Sequence, residues 1–226
     1  MSMNGTPATA IRDLDPPRGT VDAKRQVMDS LTRQYAAHVT QVTTAYVTTA
    51  ARWTSELNDY QDSLDLAAIF DPHVLLSDER RKAALNKVDC VDRALEQQKT
   101  RYRNLMLNYH CDVLACASAL AEADKVAISK PMAARLQAHL NEQDYFYRLR
   151  ERWITAVRGL IAIFDTPQPR IRFDGKQFLF EEANELERFI ALLTEIDEVA
   201  ATEAALMEAR SIRMKEQASV FGVPTG

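Results

Sequence analysis

Glycine and proline are nearly absent from the interior of this 226-residue chain, and their positions divide it into long uninterrupted tracts. No glycine or proline lies between Gly19 and Pro72, between Pro72 and Pro131, or from Lys176 to Phe221. Inside a helix, proline costs about 3 kcal/mol and glycine about 1 kcal/mol, so both residues are usually kept near helix ends. The spacing therefore predicts four long helices and an all-α fold.

Two of these tracts predict helices of about 50 residues each. The first covers about 21–70, and its apolar residues recur at steps of three and four, as in a coiled-coil seam. The threonines and valines between Val39 and Thr49 favour strand, but the apolar period continues through them without a shift. The second tract covers about 77–128 and begins at Ser77, a candidate N-cap.

The other two tracts predict shorter helices. The third begins with Pro131 in its first turn and ends near Phe164, and the fourth covers about 181–220. Short connections make successive helices antiparallel neighbours, so the tracts predict an elongated antiparallel four-helix bundle. With these boundaries about 18 residues of the second helix, or ~27 Å, extend past the end of the third.

A short β-hairpin is predicted at residues 170–180, before the last helix. Asp174 and Gly175 are a preferred pair for a two-residue type I′ turn, and this register places Ile171 opposite Phe178. An isolated hairpin is marginally stable in water, so its apolar face is expected to lie on the helices. The residues predicted on that face are Ile171, Phe173, Phe178 and Phe180.

Composition limits the domain organisation and the classes of partner. We predict one domain over 21–221, a disordered N-terminal tail at 1–20 and a C-terminal tail at 222–226. The net charge of −4 argues against a dedicated nucleic-acid binder. The N-terminal residues lack the apolar core of a signal peptide, which predicts a cytoplasmic protein unless a signal was removed upstream of Met1.

No stretch carries a recognised motif for catalysis or for a bound cofactor. The four histidines lack the spacing of metal-binding pairs, and the chain has no Cys-x-x-Cys pair and no phosphate-binding glycine loop. We therefore expect no enzyme activity, no cofactor and no metal site. A small-ligand carrier or an unrecognised enzyme, with a site formed by side chains from separate helices, is kept as an alternative to a non-catalytic protein.

Cys90, Cys111 and Cys116 are predicted to be buried free thiols.

Basic residues cluster along the helices and in the hairpin. For most of these clusters we expect solvent-exposed faces on which the basic residues pair with acidic ones. The hairpin cluster has the best geometry for contact with an acidic partner or anionic lipid, because alternate strand residues point the same way. The uncovered end of the first two helices is expected to expose apolar side chains. The predicted interaction surface consists of Arg170, Arg172, Lys176, Tyr60, Leu64 and Val88.

One segment resembles a known family. The residues that carry the resemblance are Ile171, Phe173-Asp174-Gly175-Lys176-Gln177-Phe178, Glu182-Ala183-Asn184-Glu185 and Phe189-Ile190. This segment, about a fifth of the chain, resembles part of a family of uncharacterised proteobacterial envelope lipoproteins of similar length, which are also mostly helical. The resemblance implies a periplasmic bacterial protein from which a signal peptide and a lipid-bearing cysteine were removed.

Together these features predict a non-catalytic, elongated helical-bundle protein that acts through its surfaces. Its partner is expected to be another protein or a second copy of the chain, with no nucleic acid and no identifiable small-molecule substrate. A peripheral protein that binds an anionic membrane surface is the first alternative. A small-ligand carrier or an unrecognised enzyme is the second.

Overall fold

The computed structural model describes residues 18–120, 122–165 and 171–220, which contain four long helices and a hairpin. In chain order the helices are α1 (Arg18–Ser63), the short α2 (Pro72–Leu75), α3 (Asp78–Cys116), α4 (Glu122–Ile163) and α5 (Ala183–Val220). Short 3₁₀ turns at Leu66–Phe70 and Ala117–Ala119 precede α2 and α4, and strands β1 (Ile171–Phe173) and β2 (Phe178–Phe180) precede α5. The predicted tails lie outside the described residues, except that residues 18–20 already belong to α1.

The four long helices lie side by side in the order α1, α3, α4, α5, and each is antiparallel to the next. Side-chain hydrogen bonds between neighbouring helices join Thr43 to Tyr109 (3.2 Å), Lys99 to Glu151 (2.8 Å) and Arg152 to Glu195 (2.8 Å). Ser77 caps α3 by accepting a hydrogen bond from the backbone N–H of Arg80 (3.4 Å). The predicted all-α class, the antiparallel four-helix bundle and the hairpin before the last helix are confirmed.

The chain reverses between α3 and α4 about ten residues earlier than predicted. Helix α3 ends at Cys116, and Pro131, predicted in the first turn of a helix, lies inside α4. Proline in a helix interior costs about 3 kcal/mol. The early reversal sets the register that buries Leu149, Val157 and Ile161 almost completely. Full burial of such side chains stabilises by roughly 1.5–3 kcal/mol each, which outweighs the cost of the proline.

Because α4 begins early, its C-terminal end covers the part of α3 that was predicted to lie open. The guanidinium of Arg158 on α4 lies 2.6 Å from Asp89 and 2.8 Å from Asp92 on α3. Near the start of α3, Arg81 lies 3.7 Å from Asp165, just beyond the end of α4. The predicted overhang of the second helix past the third is therefore wrong.

The hairpin forms between the predicted residues, but its turn lies one residue further along. Ile171 pairs with Phe180 rather than with Phe178, and the backbone N–H of Asp174 donates to the carbonyl of Gln177 (3.2 Å). Gly175, with φ +94°, therefore occupies the first of two tip positions. A shift of two residues in register leaves every side chain on its predicted face. The aromatic face packs on the bundle, where the rings of Phe164 and Phe178 are 5.0 Å apart.

Two core clusters hold the helices together. The larger one joins α3, α4, α5, the hairpin and α2, and its most buried members include Val88, Val157 and Leu160. The smaller one joins α1 to the middle of α3 through Ala50, Tyr102 and Met106, with Leu136 and Leu140 of α4 packed against it. Helix α1 is thus attached mainly to α3, at one side of the bundle.

Candidate functional site

The basic residues of the hairpin do not form an unpaired charged patch among the described residues. Arg172 is exposed, and its guanidinium lies 3.2 Å from Glu181. Lys176 is exposed at the turn, where its backbone N–H donates to the side chain of Asp174 (2.8 Å). Arg170 lies outside the described residues. The negative charge of Glu181 therefore offsets the positive charge of Arg172.

The apolar residues predicted on the interaction surface occupy three different environments. Val88 is completely buried in the larger core cluster, so the prediction that it is exposed is wrong. The reason is the earlier start of α4, whose last turns cover this part of α3. Leu64 is half-buried and packs against the same cluster, whereas Tyr60 is 39% exposed.

Tyr60 lies in a groove of about 410 Å³ between α1 and α3, which we call the α1–α3 groove. Its α1 side consists of Trp53, Glu56, Leu57 and Tyr60. Its α3 side consists of Cys90, Arg93, Ala94, Gln97, Gln98 and Arg101. On each helix these residues recur at steps of three or four, so they follow one face along about two to three turns.

Two arginines give the α3 side of the groove its positive charge. The guanidinium of Arg101 lies over the ring of Trp53, 5.9 Å from its centroid. Arg93 donates to the backbone carbonyl of Asp89 (3.2 Å) and to the sulfur of Cys90 (3.3 Å). Both arginines are exposed, and neither is ion-paired with a carboxylate of the described residues. The groove therefore offers two cations, although the whole chain has a net charge of −4.

The α1 side of the groove contributes little negative charge. Glu56 is the one carboxylate among the described lining residues, and it lies 3.7 Å from Arg52 on the same helix. A hydrogen bond with Cys90 is the largest cause of the raised pKa of the Tyr60 hydroxyl. With two arginines and one glutamate, the described lining of the groove carries an excess of one positive charge.

The three cysteines are free, as predicted, but the prediction that they are buried is wrong. Cys90 and Cys116 are half-buried and Cys111 is exposed. All three lie on α3. Helix α1 covers only part of its side of α3, and Cys90 lies in the groove that results.

Of the residues that line the groove, the predicted interaction surface contains Tyr60 alone. The sequence analysis did not identify the α3 side of the groove, because its polar residues are not consecutive in the chain. They form a second stripe beside the apolar stripe of α3, with members spaced by three or four residues, and this spacing is the sequence pattern that indicates one helix face. The members of this second stripe are Cys90, Arg93 with Ala94, Gln97 and Arg101.

Two kinds of feature were not found in the part of the chain that the structure describes. No three or more histidine, cysteine, aspartate or glutamate side chains are grouped so that they could hold a metal ion. None of the described helices combines the length and the apolar character needed to cross a membrane.

Comparison of the chain with known protein families, curated proteins and solved structures gave no match.

Proposed function

We propose that this protein is a non-catalytic helical bundle that acts by binding another protein chain on the side where α1 lies against α3. The observation that carries the proposal is the incomplete burial of α1. Among its described side chains only Ala50 is buried, at 8% exposure, although the apolar stripe runs along most of the helix.

The contrast with α3 supports a surface that is completed by a partner. Val88, Val91 and Leu95 on the stripe of α3 are between 0% and 3% exposed. On the stripe of α1, Tyr46, Trp53 and Leu57 are half-buried and Tyr60 is 39% exposed. Removing such apolar surface from water contributes roughly 25 cal/mol per Å², which favours association with a second apolar surface.

The ion pairs of the basic clusters favour a protein partner over an anionic membrane. The cluster residues that lie beside a carboxylate are Arg81, Lys82, Lys99, Arg150, Arg152 and Arg172. A carboxylate next to a cation reduces the attraction of that cation to a negatively charged lipid surface. The arginines of the α1–α3 groove are too few for the four to eight clustered charges typical of lipid recognition.

Photo-crosslinking from defined positions tests the proposal. A p-benzoylphenylalanine is placed at Glu56 or Tyr60 on α1, and at the exposed positions Thr155 on α4 and Glu208 on α5 as controls. We expect one discrete adduct from the α1 positions, at several-fold higher yield than from the controls. The adduct should be suppressed by an excess of the unlabelled protein.

Mass spectrometry of the adduct then separates a different partner from a second copy of the chain. Either result is consistent with a protein-binding surface on α1. Equal yields from all four positions, or adducts that unlabelled protein does not suppress, would contradict the proposal.

A further inference from the structure

We propose that the α1–α3 groove binds an acidic amphipathic helix of a partner protein. Two carboxylates of that helix, two turns apart, pair with Arg93 and Arg101, and the apolar side chains between them contact Leu57 and Ala94. This inference rests on the proposed function and names the class of partner that it requires.

The spacing of the two arginines matches the repeat of a helix. Arg93 and Arg101 are eight residues apart on α3, about 12 Å along the helix axis. Carboxylates at positions i and i+7 of a partner helix are about 10.5 Å apart along its axis and lie on one face. Apolar residues at i+3 and i+4 of the same helix then face the floor of the groove, as in other complexes of a helix with a groove.

The charges of the groove select an acidic partner. Arg93 and Arg101 are exposed without a carboxylate of the described residues beside them, so a new ion pair displaces no existing one. The contact of Arg101 with the ring of Trp53 holds that guanidinium at the groove before binding, which lowers the entropy lost on association. Glu56 opposes an acidic partner, but its charge is offset by Arg52 at 3.7 Å.

A fluorescence titration tests this proposal, with Trp53 as the reporter inside the groove. The chain has two tryptophans, so Trp153→Phe leaves Trp53 as the single one, and phenylalanine keeps an aromatic ring against the core. The probe is an acetylated helical peptide of about 15 residues, or four turns, with Glu at i and i+7 and Leu at i+3 and i+4. The matched control peptide carries Gln in place of both Glu residues.

We expect the Glu peptide to bind about five-fold more tightly than the Gln peptide, because two exposed ion pairs together add only modestly to affinity. The preference should decrease at high salt. In the double variant Arg93→Gln/Arg101→Gln the two affinities should become equal. The control variant Arg80→Gln/Arg148→Gln, which changes two exposed arginines outside the groove, should keep the preference. Glu56→Gln should tighten binding of the Glu peptide.

The proposal is overturned if the Glu and Gln peptides bind equally to the unchanged groove, if neither binds, or if the Arg93→Gln/Arg101→Gln variant keeps the preference. It is also overturned if phosphatidylserine vesicles change Trp53 fluorescence while the Glu peptide does not, since the groove would then contact lipid. Retained crosslinks from Glu56 and Tyr60 together with no acidic preference would reject the acidic helix and leave the proposed protein-binding function intact.

Discussion

Tyr46 lies where α1 meets α3, and its ring stacks against Tyr109 with the centroids 4.7 Å apart. Burial is the main cause that raises the pKa of Tyr46 from 10.0 to about 12, and the nearby Arg210 partly opposes it. The folded protein therefore keeps a proton that the unfolded chain releases near pH 10. The stabilisation is complete below pH 10 and is lost as the pH rises towards 12, at no more than about 1.4 kcal/mol per pH unit.

Tyr46→Phe tests this residue-scale effect because phenylalanine keeps the ring contact and removes the ionisable hydroxyl. We expect the variant to lose less stability than the wild type between about pH 10 and 12, the window set by the raised pKa of Tyr46, measured by urea unfolding at a series of pH values. Tyr145→Phe is the matched control at a tyrosine that is 41% exposed. An unchanged pH slope in Tyr46→Phe would show that this hydroxyl does not ionise with a raised pKa.

Among the elements, the hairpin depends on one backbone conformation. Gly175 has φ +94°, and a Cβ added there would meet no atom within 4 Å, so a substitution acts through the backbone alone. Gly175→Ala should destabilise the protein by roughly 1 kcal/mol, because alanine is strained at positive φ. Gly175→Asn should cost less, since asparagine tolerates this region better. Urea unfolding measures both variants, and equal costs would contradict this explanation.

At the scale of the whole molecule, the long helices are unequally buried. Helix α4 contributes a run of core residues between Tyr147 and Ile163, whereas on α1 only Ala50 is buried among the described side chains. Detaching α1 exposes less apolar surface than separating α3 from α4, and so it requires less free energy. We expect the backbone amides of α1 to exchange with deuterium at least about ten-fold faster than those of α4 between 147 and 163, a difference of about 1.4 kcal/mol.

Hydrogen–deuterium exchange read by mass spectrometry checks this expectation in the intact chain. A bound partner at the α1–α3 groove should slow exchange in α1 and leave the core of α4 unchanged. Uniform protection of all four long helices would show instead that they unfold as one unit and that α1 is not the weakly held element.

Features that depend on neighbouring residues could be predicted from the sequence, whereas features that depend on packing between helices could not. Ser77 was identifiable as a cap because an N-cap acts through its own side chain on the next turn. The reversal at Ala117–Ala119 was missed because no glycine or proline lies there, and the prediction relied on Pro131. That error shifted α4 along α3 and led to the wrong assignment of Val88 as exposed. Tyr60 was placed correctly at the surface, but Arg93 and Arg101 were recognised as part of a groove only in the structure.

The sequence by itself determined the helical class, the antiparallel order of the helices and the faces of the hairpin. Each of these follows from residue type and periodicity over a few turns, where glycine, proline and apolar spacing act locally. Only the tertiary structure decided the register between helices and therefore which side chains lie buried or open. Register depends on the sum of many contacts between residues distant in the chain, and this sum outweighs one unfavourable proline inside α4. The α1–α3 groove is a product of that packing, because it exists only where α1 covers one side of α3 incompletely.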